Sequence, residues 1–121
     1  MKKFSNEHVW ISLQDGVATV GITAHAQETL GDIVSTELPE AGSRFGQGDA
    51  AGVVESTKTA ADVHMPVDGE ILEVNEAVVS EPGLLNTDPL GEGWLLKVRP
   101  ADEGQLGGLM DEAQYQAFIG A

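Results

Sequence analysis

Short β-rich runs separated by turn residues set the pattern of this chain. Val-Trp-Ile-Ser-Leu at 9–13 and Val-Ala-Thr-Val-Gly-Ile at 17–22 are joined through Gln14, Asp15 and Gly16. Asp-Gly between two such runs predicts a β-hairpin. Thr23 is placed to cap a short helix over 24–30 and Gly31 to end it, after which 33–38 resumes as strand until Pro39.

The centre holds a weak internal repeat. Residues 48–55 (Gly-Asp-Ala-Ala-Gly-Val-Val-Glu) align with 69–76 (Gly-Glu-Ile-Leu-Glu-Val-Asn-Glu), each after a turn-forming stretch. This implies two like strands packed face to face, with Ser56, Thr57, Lys58 and Thr59 as a turn and Lys58 at a hairpin tip. Glu81-Pro82-Gly83 and Asn86-Thr87-Asp88-Pro89 mark a long turn-rich loop before a last strand over 94–98, which Pro100 ends. Near the C-terminus, Asp111 and Gln114 have capping-box spacing, and Met110, Gln114, Tyr115, Phe118 and Ile119 give an amphipathic helix. Upstream of it, Gly104, Gly107 and Gly108 make a further helix unstable unless packing holds it. The class expected is mainly β, with an N-terminal hairpin, a short helix and a C-terminal helix.

Composition narrows the function. With 121 residues, the chain is the size of one domain, expected over 1–121. A formal charge of −14 argues against nucleic acid, whose phosphates need clustered Lys and Arg, and favours encounters with basic patches on protein partners. There is no cysteine, hence no disulfide framework and no thiolate of the chain's own. The first residues contain no apolar signal core and no run reaches membrane-spanning length, so a soluble intracellular protein without a membrane partner is expected.

Within this acidic background Lys58 stands alone as the one basic side chain between Arg44 and Lys97. An amine used in catalysis needs desolvation or a nearby cation to lower its pKa, whereas Glu55 and Asp62 flank this one. His8, His25 and His64 are far apart in sequence and fit no metal-ligand spacing, so they read as structural. There is no Gly-x-Ser-x-Gly elbow, Walker loop or dinucleotide fingerprint, and the chain does not look like an enzyme. A lysine on a tight tip between small residues suits a different purpose, the attachment of a prosthetic group as an amide.

These residues carry a family resemblance. Glu55-Ser56-Thr57-Lys58-Thr59-Ala60-Ala61-Asp62 followed by 66–75 resembles the lipoyl-lysine region of the H proteins of the glycine cleavage system. Glu7-His8-Val9-Trp10, 21–27, 30–34, 37–39 and 85–95 are similar to that family in the same order. The resemblance implies a barrel-sandwich hybrid, the fold of lipoyl and biotinyl carriers, with lipoate on Lys58 in a central hairpin of about 48–76. It also implies a non-catalytic monomeric shuttle. The aminomethyl group of glycine passes from the pyridoxal-phosphate glycine decarboxylase (P protein) to the tetrahydrofolate-dependent aminomethyltransferase (T protein). Reducing equivalents then pass to dihydrolipoyl dehydrogenase (L protein), and a lipoate-attachment enzyme is a fourth partner. Glu55, Asp62, Glu7 and His8 are the residues expected around the lipoyl group. The location expected is bacterial cytoplasm, or the mitochondrial matrix for a processed organellar protein.

One departure bears on the cargo. Where the family commonly reads His-Glu-Trp, this chain reads His8-Val9-Trp10, so a carboxylate expected near the loaded arm is missing. Glu7 or Asp62 can compensate, or the chain can be an H-like protein that relays lipoyl groups or another lipoyl-bound cargo. Biotin carriers typically set the lysine between methionines, and lipoyl domains of 2-oxoacid dehydrogenases read Asp-Lys-Ala, whereas Thr57 and Thr59 flank Lys58 here.

Overall fold

The computed structural model describes residues 2–120, so Met1 and Ala121, the ends of the expected domain, lie outside the described residues. The order is β1 (Lys2–Phe4), β2 (Val9–Gln14), β3 (Val17–Ile22), α1 (Ala24–Leu30), β4 (Ile33–Glu37), β5 (Arg44–Phe45), β6 (Ala50–Ser56) and β7 (Ala60–His64). It continues through β8 (Gly69–Val74), α2 (Glu76–Ser80), α3 (Leu84–Thr87), β9 (Leu96–Pro100) and α4 (Glu112–Phe118). Two antiparallel sheets result, one ordered β1-β2-β3-β9-β8-β5 and the other β4-β6-β7. Among the described residues no helix is long and apolar enough to cross a membrane.

Local chemistry explains the elements nearest the site. Asp15 (φ 53°) and Gly16 (φ 79°) both take left-handed backbone, the requirement of a two-residue hairpin turn whose twist matches its strands. Thr23 Oγ1 accepts from Ala26 N at the start of α1. One core joins the sheets: Ile11, Val20, Ile71 and Val98 reach it from the large sheet, Val54 and Val63 from the small one. The two repeated strands are thus separated, β6 pairing with β7 in the small sheet and β8 with β9 and β5 in the large one.

Some segments differ from the sequence reading. The stretch expected as one turn-rich loop contains α3 and is preceded by α2, because Val78 and Leu85 are fully buried and Asn75 organises the approach. Asn75 Oδ1 accepts from Ala77 N, while its Nδ2 donates to Glu92 O and Trp94 O at 2.8 and 2.7 Å. The last strand lies two residues later than expected. A 3-10 helix forms over Glu103–Gly108, started by Asp102, where glycines alone argued against it. β1 has too few apolar residues to be read as a strand; it is held by pairing with β2 and by reciprocal Phe4 and Met110 backbone bonds.

α4 is fastened to the region that leads into the site. Asp111 and Gln114 form the reciprocal capping box, and buried Tyr115 stacks on Phe4 at 4.8 Å. The Tyr115 hydroxyl lies 2.7 Å from Thr23 Oγ1 and 2.8 Å from His8 Nδ1. His8 itself holds left-handed backbone (φ 64°), with its carbonyl accepting from Thr23 N at 3.1 Å. Burial pushes the His8 imidazole below the ordinary histidine range, and the neighbouring His25 adds to this.

Two stability predictions follow from this tie. Tyr115→Phe removes the hydroxyl's bonds to His8 and Thr23 and is expected to lower the unfolding free energy by about 1–2 kcal/mol in urea melts. Because the unfolded chain protonates at His8 first, stability is lost as pH falls from about 6.5 through the depressed folded value. His8→Asn keeps a residue at home in left-handed backbone but removes that titration, so its unfolding free energy should fall less steeply over this window. Equal slopes in the two proteins would contradict the assignment.

Candidate functional site

The β6–β7 turn presents Lys58 without using its side chain. Ser56 N donates to Thr59 O at 2.7 Å, while Ser56 Oγ accepts from Lys58 N and Thr59 N, each at 3.1 Å. Thr57 N reaches out of the turn to Asp32 O at 3.0 Å. Lys58 is exposed. Its stem crosses Gly31, where φ is +84° and a Cβ would stand 3.2 Å from Lys58 Cε and 3.6 Å from Nζ. The ammonium therefore lies close to the carboxyl end of α1, a position that favours a cation and that loses this attraction when the amine becomes an amide.

A groove of about 190 Å³ opens between the two elements that flank this tip, α1 and β7. Its apolar lining comes from Val9, Ile22, Leu30, Val54 and Val63, and its polar lining from Glu7, His8, His25 and Asp62. Asp62 is four residues along the strand from Lys58, about 13 Å of extended chain. Its backbone pairs with Val53. The His8 and His25 rings are 4.8 Å apart. Glu7 forms an ion-pair contact with His64 Nε2 at 3.1 Å, and His64 Nδ1 lies 3.0 Å from Gly48 O. Beyond Glu7 a second hollow, of about 390 Å³, is lined by Phe4, His64, Met110 and Phe118 among others. Neither α1 nor the strand residues next to Lys58 contribute to it, whereas both α1 and β7 line the smaller groove.

The structure brings Asp62, Glu7 and His8 together around one groove and places Lys58 at its approach. Glu55 is separate: half-buried opposite Ala60 in the β6–β7 ladder, it does not line the groove. Although far apart in sequence, the histidines are brought beside other lining residues by folding, His8 against His25 and His64 against Glu7. Among the described residues no group of three or more His, Cys, Asp or Glu is arranged to hold a metal ion. His25 was missed as a lining residue although its spacing carried a signal. His25, Ala26, Thr29 and Leu30 fall at i, i+1, i+4 and i+5, one face of α1, and all four line the groove. Val9, only 1% exposed, sits in the lining, so the missing carboxylate is lost from the groove itself.

Known proteins resemble the chain along nearly its whole length. The glycine cleavage system H proteins of Thermotoga maritima and Chromobacterium violaceum are each 53% identical to the chain, over 118 and 120 residues. The alignments cover 98% of this chain and 95% and 94% of those proteins. The crystal structure of a glycine cleavage system H protein from Mycobacterium marinum superposes with a TM-score of 0.92 at 40% identity, covering 99% of this chain and 97% of that one. The fold is accordingly the mainly β barrel-sandwich hybrid. Since the family model for the glycine cleavage H-protein matches residues 2–121, the chain belongs to the glycine cleavage H-protein family.

Proposed function

We propose that Lys58 carries lipoate as an amide and that the chain is the lipoyl-bearing carrier of the glycine cleavage system. The observation that carries this reading is an exposed lysine on a fully bonded turn, beside a groove with apolar walls and carboxylates in its lining. Such a groove suits an aliphatic arm ending in a polar, charged cargo. Bound on Lys58, lipoate supplies the two sulfurs through which one-carbon cargo and reducing equivalents pass. The chain's residues do the rest. Val9, Ile22, Leu30, Val54 and Val63 keep water from the cargo, and Glu7 and Asp62 offer carboxylates to its ammonium. Glu55, outside the groove and three residues before Lys58, belongs to the surface that the lipoate-attachment enzyme approaches.

In this role the chain is a non-catalytic, single-domain monomer. It carries the aminomethyl group of glycine from glycine decarboxylase to aminomethyltransferase, and reducing equivalents to dihydrolipoyl dehydrogenase. The bacterial cytoplasm is the proposed location, in keeping with the bacterial relatives. A second reading, an H-like relay of lipoyl groups or of another lipoyl-bound cargo, draws its support from Val9. A carrier that never holds an ammonium needs no carboxylate there.

Expression with lipoate and its attachment enzyme should add one lipoyl group, mapped by peptide mass to Lys58, and Lys58→Arg should abolish it. Lipoate on Lys97 or an unmodified Lys58 would refute the assignment. Fully lipoylated protein should support glycine–bicarbonate exchange by glycine decarboxylase, at a rate that falls with added salt as steered association of an acidic carrier requires. No exchange would favour the relay, and a flat salt response would remove electrostatic guidance. Asp62→Asn should speed spontaneous loss of the aminomethyl cargo about two- to fivefold, since an exposed ion pair is worth roughly 0.5–1 kcal/mol; an unchanged half-life would leave Glu7 as the stabilising acid.

A further inference from the structure

The Lys58 turn depends on the linker between α1 and β4, because Thr57 N donates to Asp32 O and the Lys58 stem lies over Gly31. That linker makes an irregular bend: Gly31 has left-handed backbone and Asp32 is exposed. It is held from a distant part of the chain. Asn86, on α3, accepts from Ile33 N through Oδ1 at 2.9 Å. Its Nδ2 donates to Gly31 O at 2.8 Å and to Gln27 Oε1 at 3.0 Å. The amide thus grips the chain on both sides of Asp32 and ties it to the last turns of α1, while the fully buried neighbour Leu85 fixes α3 in the core.

We infer that Asn86 is a positioning residue for the modification of Lys58: by clamping Gly31 and Ile33 it fixes the Asp32 carbonyl and the Gly31 seat, which together hold the Lys58 turn in one pose. The inference rests on the proposed lipoylation of Lys58. Its physical sense is that an attachment enzyme binds a pre-ordered turn without having to order it first. Releasing the clamp loosens the turn while β8 and β9 keep their pairing, since Asn86 makes no hydrogen bond to either strand.

Amide hydrogen exchange on the unmodified full chain tests the pose, and attachment kinetics test its use. In Asn86→Ala, exchange at Thr57 should rise at least tenfold relative to exchange at Ile71, whose amide bonds Ser43 O far from the clamp, a local opening without global loss of stability. The attachment enzyme's KM for the protein should rise about fivefold with kcat unchanged, as a weakened ground-state pose requires. Should Asn86→Ala fail to fold, Asn86→Asp keeps the acceptor for Ile33 N and drops both donors, and the same two shifts are expected of it. Unchanged exchange at Thr57 in the folded variant overturns the clamp whatever the modification result. Faster exchange with unchanged attachment kinetics overturns its role in modification. If wild-type protein takes no lipoate at all, the reading of Lys58 falls, and the role assigned to Asn86 falls with it.

Discussion

A four-residue turn in which every backbone amide is bonded is the constraint on which the site depends. Ser56 N and Thr57 N find the carbonyls of Thr59 and Asp32, and Lys58 N and Thr59 N share the Ser56 hydroxyl oxygen. The hydrogen bonds that hold the turn therefore come from its own polar groups and from one bond to the α1–β4 linker, and none uses the Lys58 ammonium. Beneath it the ladder of β6 with β4 and β7 joins the tip to the shared core through Val54 and Val63. A stiff base presents a lysine better than a flexible loop, which would have to be ordered at every encounter.

The groove beside the tip combines two features that need each other. Apolar walls lower the local dielectric, which strengthens any attraction between a carboxylate and an ammonium, while carboxylates left uncompensated in such a place carry a desolvation cost. Glu7 and Asp62 avoid most of that cost by remaining exposed, and Glu7 also has His64 as a partner. Val9 adds an apolar side chain to this lining, so Glu7 and Asp62 are the carboxylates that the groove offers.

Much of this arrangement is legible in the sequence, for physical reasons that differ by element. The Asp15-Gly16 turn, the Thr23 cap and the Asp111–Gln114 capping box are encoded in a few contiguous residues and settled by local hydrogen bonding, and the Ser56–Thr59 tip is so in part, with Thr57 N bonded to the distant Asp32 O. The short helices α2 and α3 are not, because Asn75 is organised by the carbonyls of Glu92 and Trp94 and Leu85 by a core assembled from many elements. The same holds at the site. Lys58 and Asp62 share one hairpin and could be paired by reading, whereas the meeting of His8 with His25 and the grip of Asn86 on Gly31 arise from tertiary packing.

The lipoyl arm proposed on Lys58 would rest its loaded end in the groove between α1 and β7. Backbone amide NMR shifts of the unmodified, lipoylated and aminomethyl-loaded protein test this most directly. Lipoylation should perturb residues near the tip, and loading should add perturbations at Glu7, His8, Val9, Leu30 and Asp62. Loading that shifts only residues 56–60, or that instead moves Met110 and Phe118 in the second hollow, would rule out this resting place for the arm.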